Sequence, residues 1–442
     1  MTLEMGLELL KKRKFSKSLK IFEKLLLVNS ENPDLFFCLG NAYFELNEPQ
    51  KSIFYYEKSK KIMPNSPQIL HNLAVAYQSL GNISEAKKNY LKLLEINPNN
   101  IQAYFGLFNL NIKNINEELY KKLRSLSEKK EVSLKEKSFI NFIFSKLEKE
   151  REKIDEEIKY LDIAHNQSIN SKIKYNSNTL FYYKDILSKF FKKKKFHNST
   201  NKFKNFSESN PVFIIGLPRS GSTLIESLIS QSSNHIKSYG EFHAIDSSIR
   251  NQIGPIIFSQ NFNINEFEFV INLENLQNSL LETYKELKNE QFIDKSLENF
   301  FYIDVILKLF PNAKFIHTFR NQYDAIIGIH QSMMPDLSWT HNLKHIIQYI
   351  HNYEKIITFY KNKFPKSILN VQLEKLTINP NIESEKIFKF LDIEWDENYL
   401  NFYRDKNLFS KTSSFMQIRN KIQLYNKSKY YPYYFLINNL TN

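Results

Sequence analysis

The stretch PVFIIGLPRSGSTLIESLIS, Pro211 to Ser230, constrains the fold of this chain more than any other segment. Five mostly apolar residues run into a loop that carries Gly216 and Gly221, and an apolar-periodic segment follows at once. The pattern reads as a buried strand, a tight loop and the start of a helix. Such a unit turns backbone N–H groups and a helix N-terminus toward an anion. Phosphate-binding loops of the form G-x-x-x-x-G-K-[ST] place a lysine before the final hydroxyl residue, and here Ser222 stands there, followed by Thr223. The missing lysine argues against a nucleoside triphosphatase. Arg219, inside the loop, would supply the positive charge instead.

Beyond Asn210, short apolar segments alternate with helical ones. The expected strands are Pro211–Ile215, Gln291–Asp294, Lys314–Phe319 and Ile368–Leu373. Strands separated by helices imply an α/β domain with a mostly parallel sheet and a ligand at the carboxyl ends of its strands. Those ends carry GLPRSGST, DKS and RNQYD.

The N-terminal quarter repeats with a period of 34 residues: Leu39-Gly40 and Tyr43 return as Leu73-Ala74 and Tyr77, Tyr56 as Tyr90, and Pro64 as Pro98. Gly6, Ser18 and Phe22 fit the same template one period earlier. This pattern resembles the tetratricopeptide repeat, a pair of antiparallel helices per unit. The expected organisation is an all-α solenoid over 1–112, a helical connector without strand signals over 113–206, and the α/β domain over 207–442. A solenoid offers a concave face to a partner, or packs against the rest of its own chain.

Bulk properties narrow the function. The net charge of +14 suits anionic partners, but no nucleic-acid motif accompanies it, and nucleic acid is not an expected partner. The run Lys192 to Lys195 reads as a solvated face or linker. Eight arginines stand against 53 lysines, and Arg219, Arg320 and Arg419 fall in the segments of interest. Arginine's planar fork suits phosphate. No run of eighteen apolar residues and no signal peptide is legible, and Cys38 is the single cysteine. The expectation is a cytoplasmic chain without a membrane span, a disulfide or a metal.

Five elements, in order, resemble the PAPS-dependent sulfotransferases that carry tetratricopeptide repeats, with the protein tyrosine sulfotransferases as more distant relatives. They are PVFIIGLPRSGSTLIESLIS, SYGEF, FIDKSLENF, FPNAKFIHTFRNQYDAIIG and KTSSFMQIRNKI. The resemblance implies transfer of a sulfuryl group from 3′-phosphoadenosine 5′-phosphosulfate (PAPS) to an acceptor hydroxyl or amine, on a saccharide, peptide tyrosine or small molecule. It implies that Arg219, Ser220, Gly221, Ser222 and Thr223 cradle the 5′-phosphosulfate. Glu241 would be the general base, with His243 and His235 as nearby competitors, and Lys295 would neutralise the leaving oxygen. Ser414 would help hold the sulfuryl group, and Arg320 and Arg419 would contact the 3′-phosphate. The family's 3′-phosphate strand ends R-x7-S, whereas Gly328 lies eight residues after Arg320. Leu297 also replaces an expected proline. These departures leave an alternative, a repeat scaffold whose sulfotransferase-like domain binds nucleotide without turnover.

Overall fold

The computed structural model describes residues 2–197, 209–232, 236–260, 262–284, 291–412 and 414–441. His235 and the expected 206/207 boundary lie outside these residues. The chain forms two compact units. The first holds residues 1–172 and 404–419, and the second holds 173–403 and 420–442.

In the first unit, antiparallel helices follow the 34-residue period: Leu3–Lys11 and Phe15–Val28, Pro33–Glu45 and Pro49–Ile62, Pro67–Leu80 and Ile83–Ile96, then Ile101–Leu110. Starts are marked by side-chain caps at Asn32, Asn82 and Asn100, and by Pro33, Pro49 and Pro67 in the first turn. The small residue in each repeat exists for close approach. A Cβ at Gly40 would lie 2.4 Å from the Tyr56 ring, and Tyr56 is buried at 2% exposure. Burying such a ring contributes on the order of 1.5–3 kcal/mol. Helices Glu117–Glu128, Leu134–Glu150 and Ile154–Ser171 complete the helical run.

The repeats also hold a piece of their own chain. Within this unit, Ser410 N–H donates to Ser79 O at 3.0 Å, the Phe409 ring meets Phe44 edge-on, and Lys411 lies 3.6 Å from the Glu45 carboxylate. The segment 404–419 therefore packs with the solenoid.

In the second unit, strands β1 (Lys194–His197), β2 (Val212–Gly216), β3 (Lys237–Ser238), β4 (Phe269–Asn272), β5 (Phe292–Asp294), β6 (Lys314–Phe319) and β7 (Ile368–Gln372) form two sheets. Five strands pair in parallel in the order β3-β5-β2-β6-β7, and β1 pairs in parallel with β4. Strand β2 is central and buried at every position, which is why it reads as a continuous apolar run.

The connector differs from its sequence reading. Residues 173–197 belong to the second unit and end in a strand. Tyr182 and Phe190 are buried there, with the Tyr182 hydroxyl 2.8 Å from that of Tyr302. The Lys194 side chain, expected on a solvated face, is buried and pairs with Asp304 at 2.9 Å.

Candidate active site

The loop after β2 is shaped by backbone that side chains disfavour. Gly216 has φ +147°, and a Cβ there would lie 2.2 Å from Thr318 O on the neighbouring β6. Arg219 and Gly221 also adopt positive φ. Gly221 caps helix Ser222–Ile229 without a side-chain acceptor, so the first-turn N–H groups begin at the loop. The Ser220 hydroxyl is turned inward: it donates to Leu217 O at 2.6 Å and lies 2.6 Å from Thr318 Oγ1. Its side chain thus sets the loop's shape and ties it to β6. Ser222 and Thr223, the first two helical residues, are buried.

Glu241 follows β3 and Lys295 follows β5. The pairing of these strands continues past their ends, with Tyr239 N–H donating to Ile293 O and Lys295 N–H to Gly240 O, both at 2.9 Å. That ladder brings the two candidate side chains together, and Lys295 Nζ donates to Glu241 Oε1 at 2.9 Å. Lys295 is fully buried, whereas the Glu241 side chain is 47% exposed. The acid therefore faces solvent while the cation stands behind it. Glu226, one turn into the helix after the loop, lies 3.6 Å from Lys295 Nζ. Burial works against the charge on Lys295, but Glu226 and then Glu241 outweigh it and hold the ammonium above its ordinary value. Burial also pushes Glu226 up, against the pull of Lys295 and a hydrogen bond from Ser238.

Glu226 has no place in the sequence reading. Its signal was available, as an acid inside the apolar-periodic segment STLIESLI. Asp294 accepts the Ser296 N–H at 2.8 Å, just ahead of the following 3₁₀ segment. Leu297, in place of proline, simply begins that segment.

His243 has an acidic partner of its own. The Glu298 carboxylate contacts Nδ1 and, against the effect of burial, raises the imidazole to about 9. A histidine charged across the neutral range has no lone pair to take a proton.

Arg320 follows β6. Its Nη1 donates to Arg219 O at 3.1 Å, and its Nη2 donates to the Tyr425 hydroxyl at 2.6 Å. Asp324, one turn on, lies 3.7 Å from the guanidinium and accepts from Tyr425 and Tyr434. Arg320 Nε is buried without a hydrogen-bond partner, which suits a missing acceptor. Burial lowers Arg219 from its ordinary value, opposed by Tyr430 and reinforced by Arg320.

Ser414 and Arg419 both lie on 404–419, in the unit with the repeats. Arg419 spends its donors on carbonyls of that unit, Ser79 at 2.9 Å and Leu408 at 2.7 Å, with Phe415 O a third acceptor. The sequence motif did not reveal where its segment packs.

Among the described residues no helix is long and apolar enough to cross a membrane, and no cluster of three or more metal-ligating side chains forms.

Comparison with known proteins agrees with this architecture. Residues 211–397 match the sulfotransferase family, and residues 33–66 and 67–100 each match the tetratricopeptide repeat. An uncharacterized protein of Aquifex aeolicus is 26% identical over 224 residues, covering 48% of this chain and 29% of that protein. A Caenorhabditis briggsae protein named "Putative protein-tyrosine sulfotransferase" is 23% identical over 217 residues, covering 48% of this chain and 77% of that protein. The chain thus spans less than a third of the first relative's length. Among solved structures, the sulfotransferase domain of the Synechococcus PCC 7002 olefin synthase is similar at 19% identity and a TM-score of 0.37, covering 51% of this chain and 88% of that one. The sulfotransferase STF1 of Mycobacterium tuberculosis H37Rv is similar at 9% identity and a TM-score of 0.32, covering 65% and 91%. The family matches thus run in the order tetratricopeptide repeat, over 33–100, then sulfotransferase family, over 211–397.

Proposed function

We propose that the second unit transfers a sulfuryl group from PAPS to an acceptor hydroxyl or amine, with Glu241 as general base and Lys295 as the cation at the leaving oxygen. The observation that carries this reading is the Glu241–Lys295 contact at 2.9 Å, an exposed acid against a fully buried cation beside a strand–loop–helix anion cradle. The loop N–H groups, the Ser222 and Thr223 hydroxyls and Arg219 would hold the 5′-phosphosulfate, and Arg320 the 3′-phosphate. The unpartnered Arg320 Nε fits such an anion. The donor supplies a sulfuryl group, which bears less charge than a transferring phosphoryl group and can be held by side-chain and backbone donors.

This chain's part is positional and electrostatic. Glu241, open to solvent, takes the acceptor's proton. Lys295, held charged by two carboxylates, is placed to offset negative charge on the departing phosphate, as preorganised donors do. The Glu298 contact at His243 Nδ1 favours Glu241 over His243 as the base. The roles expected of Ser414 and Arg419 fall on a segment packed with the repeats, so the proposal rests on the second unit alone. The repeats would recruit the acceptor or a protein partner.

The test is incubation of the whole chain with radiolabelled PAPS and fractionated extract of the source cell. Label entering an acceptor fraction only when the chain is present is the expected result. Binding of adenosine 3′,5′-bisphosphate with no labelled fraction would favour the non-catalytic scaffold instead.

A further inference from the structure

The helix Gln322–His330 carries Gly328 where a hydroxyl side chain would point at the guanidinium of Arg320. A Cβ at this position would meet the Tyr430 hydroxyl at 3.5 Å, Tyr430 Cζ at 3.6 Å and Arg320 Nη1 at 3.7 Å. The space beside Arg320 is therefore shared with a phenol from the far end of the chain. Tyr430 is buried at 5% exposure, and the Arg320 guanidinium carbon stands 4.8 Å from its ring centre. Its hydroxyl group sits in a field of cations. Burial, the largest influence, opposes ionisation, yet Lys429, Arg320 and Arg219 together draw the phenol below its ordinary value. A buried hydroxyl among three cations is a donor held where an anion would be stabilised.

We propose that the Tyr430 hydroxyl supplies the hydroxyl contact to the 3′-phosphate of the nucleotide, in the place left open by Gly328. This rests on the reading of the unit as a PAPS site. Glycine at 328 is then a fitted partner of Tyr430 and not a defect. Lys429 and Arg320 provide charge, and Tyr430 provides a directed O–H. Discrimination between nucleotides with and without a 3′-phosphate follows from this donor, because a buried donor that loses its acceptor is left unsatisfied.

Calorimetry on the full chain with adenosine 3′,5′-bisphosphate and adenosine 5′-phosphate tests this. Tyr430→Phe keeps the ring and removes the donor. It should weaken the bisphosphate about tenfold or more and leave the monophosphate within about twofold, the scatter expected for a removed group that touches no acceptor. Gly328→Ser should not tighten the bisphosphate in the otherwise unchanged chain, since the place is taken, but should restore part of the loss in Tyr430→Phe. Unchanged bisphosphate affinity in Tyr430→Phe would overturn the proposal. So would a tenfold gain from Gly328→Ser alone, an arm that does not depend on the folding of the tyrosine variant. A parent chain that binds neither nucleotide would instead overturn the PAPS reading, and this inference with it.

Discussion

His243 illustrates how a neighbour decides a residue's chemistry. Its ring is held charged to about pH 9 by Glu298, against an unfolded value of about 6.5. A folded-state value raised above the unfolded one contributes stability that is full below pH about 6.5 and fades as pH rises through about 9. The melting temperature of the parent chain should therefore exceed that of His243→Asn most at pH about 6, and the gap should close by pH about 10. A gap that stays constant over this range would contradict the ion pair. From sequence alone, His243 was an open competitor to Glu241, because the acid that holds its ring lies 55 residues away. Glu241, Lys295, Arg219 and Arg320 stood out as candidates because each follows an expected strand end or a G-E motif beside one, where a parallel sheet presents its ligand-facing edge. Glu226 and Tyr430 were not, since neither stands in a pattern that announces its neighbours.

At the scale of elements, β2, β5, β6 and β7 were legible as runs of apolar residues, and their observed bounds differ from the expected ones by a residue or so. Strand β3 has two residues and β1 reads KKFH, too short and too charged to register as strands. The loop between β2 and its helix depends on Gly216, whose φ of +147° and 2.2 Å approach to Thr318 O leave no room for a side chain. Gly216→Ala should cost on the order of 1–3 kcal/mol in backbone strain, with more from displacing β6. Chemical denaturation should register that loss, and bisphosphate affinity should fall with it, because the displaced strand carries Arg320. An alanine variant of parental stability would show that the loop tolerates another path.

The whole chain divides differently from its sequence pattern. The period of 34 residues marked the solenoid, but it could not show that 404–419 returns to it, nor that 173–197 belongs to the sheet-bearing unit. Helical periodicity describes the shape of a segment and says nothing of which core receives it. A chain beginning at 207 lacks Tyr182, Phe190 and Lys194, all buried in the second unit, and should fail to give a cooperative melt. One beginning at 173 should melt cooperatively. Equal folding of the two would place the boundary back at 207. The central claim, that Glu241 takes the acceptor's proton while other groups hold the nucleotide, is tested most directly by comparing turnover and bisphosphate affinity in Glu241→Gln. The variant keeps shape and a hydrogen bond to Lys295 but cannot take a proton, so turnover should fall on the order of 10²–10⁴-fold while bisphosphate affinity barely changes, because Lys295 keeps a hydrogen-bond partner at that position. Turnover within a few-fold of the parent chain would contradict the assignment.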